Sequence, residues 1–485
     1  MDISTAFLLG YVIESVEETL KKGRPITTFK LQPVVVPPVL CPECGSKLHG
    51  HGSKTVTVVD TPFGGKPAEL KVPYIRKRCS NPHCRYMWTS DLVNIDDNHL
   101  MTQRAFADMT QKAIKQAFKD VGEEYAIAKG TVRNTFIDFM QDKRDSLQFV
   151  TPSFMGIDEI KIKSLGEITV ITDLEHRTLY DMIHGRNQEL LIKYFDNIPD
   201  PENIRWVCSD MYRPFEKPIH IDLPRAKWVV DHYHVVAYAN RAMDTVRIRI
   251  QGKLSKNKRI KTKKGLAYTL RTRLRNLSDE EKLKIRECRK NPVTEPIAVA
   301  FDLKEEFFNI YDENKGSKAD AQEAFKTWKT KVDAIPEEQT EFEGFKKLVS
   351  TVENFYTQIF NLWDCPIHIT NGFTECTNRI IRENAVKGRG TSFDILRGRT
   401  LYRRTNLARI DESGMLIGPN IPQKGSIFHF EETQDICDDF DEDESLYFNS
   451  YEYDPHIGLR PGVDYDPETG EILESYDDRL EDEEW

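Results

Sequence analysis

Nowhere does this sequence offer the ~20 consecutive apolar residues that a bilayer-spanning helix needs. The start, "MDISTAFLLGYVIESVEE", lacks a basic leader and its apolar stretch ends at Glu14, which argues against a secretory signal. The expectation is a cytosolic protein with no membrane partner. Cysteine is scarce, nine in 485 residues, and in a cytosolic chain such residues more often hold metal than form disulfides. Net positive charge is also missing: the chain stands at −10, which taken alone argues against nucleic acid.

That average hides a segregation. Residues 431–485 hold 22 acidic and 2 basic side chains, leaving 66 basic against 56 acidic in the other 430. Arg247 to Lys290 alone holds 17 Lys or Arg against 4 acids, including "KLSKNKRIKTKK". Such a stretch suits a polyphosphate backbone, although it could also be a solvated helix face. The acidic tail reads as disordered from its composition. A 39% hydrophobic fraction with 10% aromatics is ample for buried cores, and the length suggests about three domains.

The cysteines cluster. Cys41 and Cys44 form one C-x-x-C, and Cys79 and Cys84 flank "SNPH", with 34 residues between the two pairs. Strand-like "KTVTVVD" and "AELKVPYIRKR" fill that interval. Two cysteine knuckles around a β-hairpin are the layout of a zinc ribbon, where four thiolates hold one structural Zn2+ tetrahedrally. His49, His51 or His83 could replace one sulfur. Cys208, Cys288, Cys365, Cys376 and Cys437 show no ligand spacing and read as free thiols.

Next, apolar residues recur at helical spacing: Phe106, Met109, Ile114 and Phe118, then Val121, Tyr125 and Ile127, then Val132, Phe136 and Ile137. A short helix over 122–128, a turn at Ala128-Lys129-Gly130 and a helix from Thr131 match helix-turn-helix proportions. Lys129, Thr131, Arg133 and Asn134 would then face a major groove. A trihelical unit without a DNA role would look the same.

"FMGIDEIKIKSLGEITVITDLEHRTLYDMIHG" reads as three strands, over 155–163, 168–173 and 178–184. A helix in "NQELLIKYFDNI" follows, then the strand "IRWVCSD", the short helix "MYRPFEKPI", the strand "AKWVVD" and a long helix from His232. This β-β-β-α-β-α-β-α order is that of a ribonuclease-H-like mixed α/β core. In that topology the centre of the first strand lies beside the end of the fourth, bringing Asp158 to Asp210. Clustered carboxylates repel unless a cation separates them, and paired Mg2+ (or Mn2+) ions suit in-line phosphodiester displacement. Glu159 alternates to the other strand face. Farther on, in "NGFTECTNRIIRENAVKGRG", Glu375, Asn378, Arg379 and Arg382 share one helix face. They read as a third metal ligand flanked by phosphate contacts, or as an exposed face with a Glu375–Arg379 pair.

At these residues the chain resembles the ISL-three family of insertion-sequence transposases, which carry a DDE catalytic core. The resemblance runs from Cys41 to about Arg404 through "GIDE", "CSDMYRPF", "LPRAKWVVDHYHVV" and "NGFTECTNRIIR". It implies a catalytic, magnesium-binding triad of Asp158, Asp210 and Glu375. It also implies an accessory Asp231-x-x-His234 signature with Asn378 nearby, and a mostly helical insertion within the 164 residues between Asp210 and Glu375. Cys376 departs from the family, which commonly has Gly after the Glu; both residues are small.

The implied function is a bacterial, nucleoid-associated DNA transposase. It would bind the terminal inverted repeats of its element as a homo-oligomer, cleave double-stranded DNA and join it to a target. Two other classes stay open: a catalytically silent, domesticated DNA-binding protein, and a structure-specific nuclease without strand joining. The expected organisation is an N-terminal segment (1–37), zinc ribbon (38–90), helix-turn-helix (91–148), first part of the core (149–250), helical basic insertion (251–350), last part of the core (351–429) and acidic tail (430–485).

Overall fold

A computed structural model describes residues 10–403 except positions 22, 35, 91, 93, 97, 148, 255–265, 315 and 389, together with the strands Val463–Tyr465 and Ile472–Ser475. Most of the acidic tail and the centre of the basic stretch therefore lie outside the described residues. The chain divides into two compact units. One comprises Met1–Val150, Lys161–Ile168 and Cys376–Ile417, the other Thr151–Ile160, Thr169–Glu375 and Gly418–Trp485.

The first unit begins with a sheet in the order β1-β2-β4-β3, built from β1 (Tyr11–Lys21), β2 (Arg24–Pro33), β3 (Leu48–Phe63) and β4 (Lys66–Cys79), with β5 (Met87–Thr89) pairing with β4. The β3–β4 hairpin fills the interval between the cysteine pairs, as its alternating Val56, Val58, Leu70 and Val72 require; all four are buried. Within the expected N-terminal segment (1–37), the described residues supply β1 and β2. The hairpin they form packs Tyr11, Phe29 and Leu31 into the same apolar cluster as Val58 and Leu70. Exposed charged residues along β1, such as Glu14, Glu17 and Glu18, obscure its alternation in sequence.

Three helices follow: α1 (Gln103–Lys115), α2 (Phe118–Glu124) and α3 (Lys129–Ser146). The short helix lies four residues earlier than the spacing suggests, and the turn is Tyr125 to Ala128. Gly122 explains the shift. Its carbonyl accepts the Ile127 N–H at 2.9 Å, and a Cβ there would come within 2.9 Å of the Ile127 carbonyl oxygen. Glycine thus lets the turn fold back on the helix rather than starting it. The late helix Phe393–Leu401 belongs to this unit as well. From it the buried Arg399 donates to the Gln116 carbonyl at 2.8 Å and lies over the Phe118 ring, 4.5 Å from its centroid.

The second sheet contains β6 (Phe154–Ile162), β7 (Gly166–Asp173), β8 (Thr178–His184), β9 (Trp206–Ser209) and β10 (Lys227–Val230), in the order β10-β9-β6-β7-β8. Strands β6, β9 and β10 run parallel, while β7 and β8 are antiparallel. Parallel central strands are covered on both faces and read as continuous apolar runs; Val207, Cys208, Val229 and Val230 are accordingly buried. Helix α4 (Gln188–Phe195) follows β8, α5 (Glu216–Asp222) precedes β10, and α6 (His232–Gly252) leaves its end.

Between α6 and Glu375 the described elements are helical, from Leu266–Arg271 to Tyr356–Phe360, with short 3-10 turns. The basic stretch is not the uniform cationic surface its composition implies. Arg247 and Arg271 both pair with the buried Asp244, at 2.6 Å each. Arg273 pairs with Asp312, also at 2.6 Å. Guanidinium groups leave water only with such partners, so these three charges serve the interior, while Arg286 and Lys290 are exposed.

Candidate active site and metal centres

Strand register sets the first site. Phe154, Met155 and Gly156 pair with Trp206, Val207 and Cys208, and Trp206 to Ser209 pair with Lys227 to Val230. Continued by two residues, the first register sets Asp158 level with Asp210; continued by one, the second sets Asp210 level with Asp231. Three carboxylates thus stand at one height along adjacent parallel strands, where the open ends of such sheets bind ligands.

Each is fixed by local backbone. Asp158 accepts from the Glu159 N–H at 2.8 Å and Asp210 from that of Tyr212 at 3.2 Å. Asp231 is fully buried and caps α6, accepting from the Tyr233 N–H at 3.2 Å and the Asn371 N–H at 3.1 Å.

Glu375 lies in the first turn of the helix Gly372–Gly388. The residues just before it were not picked out from sequence, yet they hold that turn. Asn371 donates its side-chain amide to the Ile157 carbonyl at 2.9 Å, Thr374 donates to Asn371 Oδ1 at 2.7 Å, and the Thr374 and Thr172 hydroxyls meet at 2.6 Å. Gly156 makes room for them, since a Cβ there would lie 2.5 Å from both hydroxyls. The available signal was a run of buried polar residues against a glycine in an apolar strand. Arg186 was also missed. It pairs with Glu159 at 3.1 Å and stacks over Tyr212 with its guanidinium 5.2 Å from the ring centroid, so it bridges the neighbours of Asp158 and Asp210.

The site is strongly acidic. Burial, reinforced by Asp210 and Glu375, pushes the Asp158 carboxyl up to about 7, against the pull of the Glu159 N–H and His234. Burial likewise raises Asp210, against His234 and the Tyr212 N–H. For His234 burial opposes protonation, but Asp231, Asp210, Asp158 and Glu375 outweigh it and the net direction is up. Its Nε2 lies 3.9 Å from Glu375 Oε1. The neighbouring His232 packs against Tyr311 and His368 with its Nδ1 3.5 Å from Asp231 Oδ1, and burial holds it down at about 4 despite that carboxylate. The half-buried Asp158 and Asp210 carboxyls, both raised, fit a divalent cation, which would relieve the repulsion between them.

On the same helix as Glu375, Asn378 is buried, Arg379 exposed and Arg382 partly buried. Lys129, Thr131, Arg133 and Asn134 lie on the first half of α3 and are all exposed, whereas Val132, Thr135 and Phe136 of that helix are buried.

In the ribbon, Cys41, Cys44, Cys79 and Cys84 bring their sulfurs together. Cys44 and Cys79 are 3.4 Å apart and Cys41 and Cys84 3.8 Å. Zinc–sulfur bonds of about 2.3 Å in a tetrahedron put sulfurs roughly 3.8 Å apart, so the four donors fit Zn2+. Hydrogen bonds from the Ser46 side chain and backbone pull Cys44 down to about 6, whereas burial pushes Cys79 up to about 12 and Cys84 is also raised; bound zinc would draw the protons off these thiols.

Residues 155–400, just over half the chain, match the ISL3-type DDE transposase family, described as "Transposase". Residues 37–84 match the zinc-finger of transposase IS204/IS1001/IS1096/IS1165. No curated protein matches the chain.

Proposed function

Because the chain belongs to the ISL3 family of transposases, we propose that it binds the terminal inverted repeats of an insertion sequence, cleaves DNA there and joins the freed 3′ end to a target. What supports this reading is the strand register, which continued past its last pairs sets Asp158, Asp210 and Asp231 level, with the Glu375 turn tied to Asp231, Ile157 and Thr172 through Asn371 and Thr374. The strand order β10-β9-β6-β7-β8 supports a ribonuclease-H-like core. The exposed polar face of α3, behind a short second helix, supports a helix-turn-helix reader in which Lys129 and Arg133 meet phosphates while Thr131 and Asn134 meet base edges.

Asp158, Asp210 and Glu375 would hold Mg2+ or Mn2+, which when bound supplies Lewis-acid polarisation of phosphate and activation of the attacking oxygen. The protein's own part is positioning. Asp231 and Asn371 tie the Glu375 helix to the sheet, and Arg186 steadies the two acid-bearing segments through Glu159 and Tyr212. Hydrolysis and joining are both in-line substitutions at phosphorus, so one constellation serves both. Arg379 and Arg382 extend along the Glu375 helix as phosphate contacts.

The test uses duplexes carrying the inverted repeats that flank the gene. Wild-type protein with Mn2+ should cut them and join the product to plasmid. Asp158→Asn, Asp210→Asn and Glu375→Gln should each abolish both steps and leave repeat binding intact, and paired changes should be little worse because the residues act as a unit. Repeat binding without cleavage by the wild type would favour a silent DNA-binding protein. Cleavage surviving all three changes would remove these carboxylates from the chemistry.

A further inference from the structure

The donor set around Glu375 includes a nitrogen. His234 sits in the first turn of α6, three residues after the cap Asp231, and its backbone N–H donates to the Asp231 carbonyl at 3.1 Å. About a third of its side chain is exposed, yet its Nε2 atom is buried and makes no hydrogen bond. A buried imidazole nitrogen left without a partner carries a desolvation cost of about 1–3 kcal/mol, so a native structure that keeps one invites a functional reason. This nitrogen faces acid, with Glu375 Oε1 3.9 Å away. One donor atom each from Asp231, His234 and Glu375 lie within 4.8 Å of one another. Ligands about 2.0–2.3 Å from a common ion are separated by roughly 3–4.5 Å, so only small side-chain adjustments would close the three around one cation.

We propose that His234 is a direct ligand, through Nε2, to a divalent ion that it shares with Glu375 and Asp231, giving the active site one nitrogen-containing metal position. The inference rests on the metal-dependent reading above, in which the carboxylates alone were assigned to metal. It changes that reading in a specific way. Mg2+ is hard and takes oxygen ligands almost exclusively, whereas imidazole suits transition-metal ions. A nitrogen donor therefore tilts this position away from Mg2+ and toward ions that accept imidazole, with Mn2+ as the spectroscopic probe, and leaves the oxygen-only pair, Asp158 and Asp210, without that bias. Register supports the division, since Asp231 follows the end of β10 and Asp158 lies in β6, and these two strands flank β9, whose end Asp210 follows.

The experiment is pulsed electron paramagnetic resonance on the full-length protein loaded with Mn2+, which detects a coordinated imidazole nitrogen through its modulation of the manganese echo. Wild type should show nitrogen modulation, and His234→Gln should lose it while still binding Mn2+ about tenfold or more weakly, with a smaller loss for Mg2+. Absence of modulation in the wild type decides against the proposal without any variant, and His234→Asn serves as a second variant should His234→Gln fail to fold. Bound Mn2+ with no nitrogen modulation would overturn the proposal and leave the carboxylate reading standing. Modulation that persists in His234→Gln would also overturn it, transferring the role to another histidine such as His232. Failure to bind Mn2+ at all would sink the metal-dependent reading along with it.

Discussion

Asp158 shows at the scale of one residue how a site can be built against the stability of its own fold. Burial, with Asp210 and Glu375 nearby, holds its carboxyl at about 7 against an ordinary 3.8. A group whose folded pKa is raised binds its proton more tightly in the native state, so its contribution to stability is full below about pH 4 and lost as pH climbs to about 7. His234, also raised, loses its contribution in the same direction above its ordinary 6.5. Thermal unfolding of metal-free protein should therefore fall across pH 4–8, and Asp158→Asn should flatten the pH 4–7 part of that fall. Added Mn2+ should stabilise the wild type most at the upper end. A wild-type slope unchanged in Asp158→Asn would mean that this carboxyl ionises normally. Gly156 makes a second test. In Gly156→Ala the new methyl would meet the Thr172 and Thr374 hydroxyls at 2.5 Å, and overpacking of this kind costs about 1–3 kcal/mol. Because those hydroxyls position the Glu375 turn, cleavage should fall further than the stability loss alone explains, as a comparison of denaturant melts with cleavage rates would reveal.

Among the elements, what the sequence made legible followed from period and spacing. Strands β7 and β8 announce themselves through Ile168, Val170, Ile171, Leu179 and Met182, all buried, and the cysteine spacing alone located the cluster that gathers four sulfurs. Asp158 stood out because an acid interrupted an apolar strand. What stayed hidden depended on partners distant in sequence. The β1–β2 hairpin joins β4 through a parallel pairing of Thr27–Lys30 with Ala68–Lys71, which no local pattern encodes. Asn371 and Thr374 are ordinary polar residues until they meet Ile157 and Thr172, more than 200 positions away. In the basic stretch, composition does not say which arginines face inward, as Arg247, Arg271 and Arg273 do. Helix α3 offers the matching test of function. Arg133→Ala and Lys129→Ala should weaken binding to any duplex and each reduce the salt slope by about one. Asn134→Ala should mainly relax sequence preference, at about 1–3 kcal/mol for one base pair. Fluorescence anisotropy on repeat and scrambled duplexes over a salt series separates the two behaviours; equal loss on both duplexes for all three would assign the whole face to backbone contacts.

For the whole molecule the governing quantity is the separation of charge: +10 over the first 430 residues and −20 over residues 431–485. DNA binding draws its non-specific part from cationic side chains displacing counterions. A covalently attached polyanion competes for those same side chains at high effective concentration. The competition is intramolecular, so dilution does not relieve it, but salt does, because exposed charges more than about 10 Å apart are largely screened at 0.1 M. Removing residues 431–485 should therefore tighten binding to non-specific duplex by about tenfold at 50 mM salt, and the gain should shrink toward nothing near 0.5 M. Specific repeat binding, which also draws on base contacts, should gain less, so the intact chain should discriminate its ends from bulk DNA better than the truncated one. If truncation leaves low-salt affinity unchanged, the tail does not compete for the DNA path, and its charge must then be explained by solubility or by a separate basic partner.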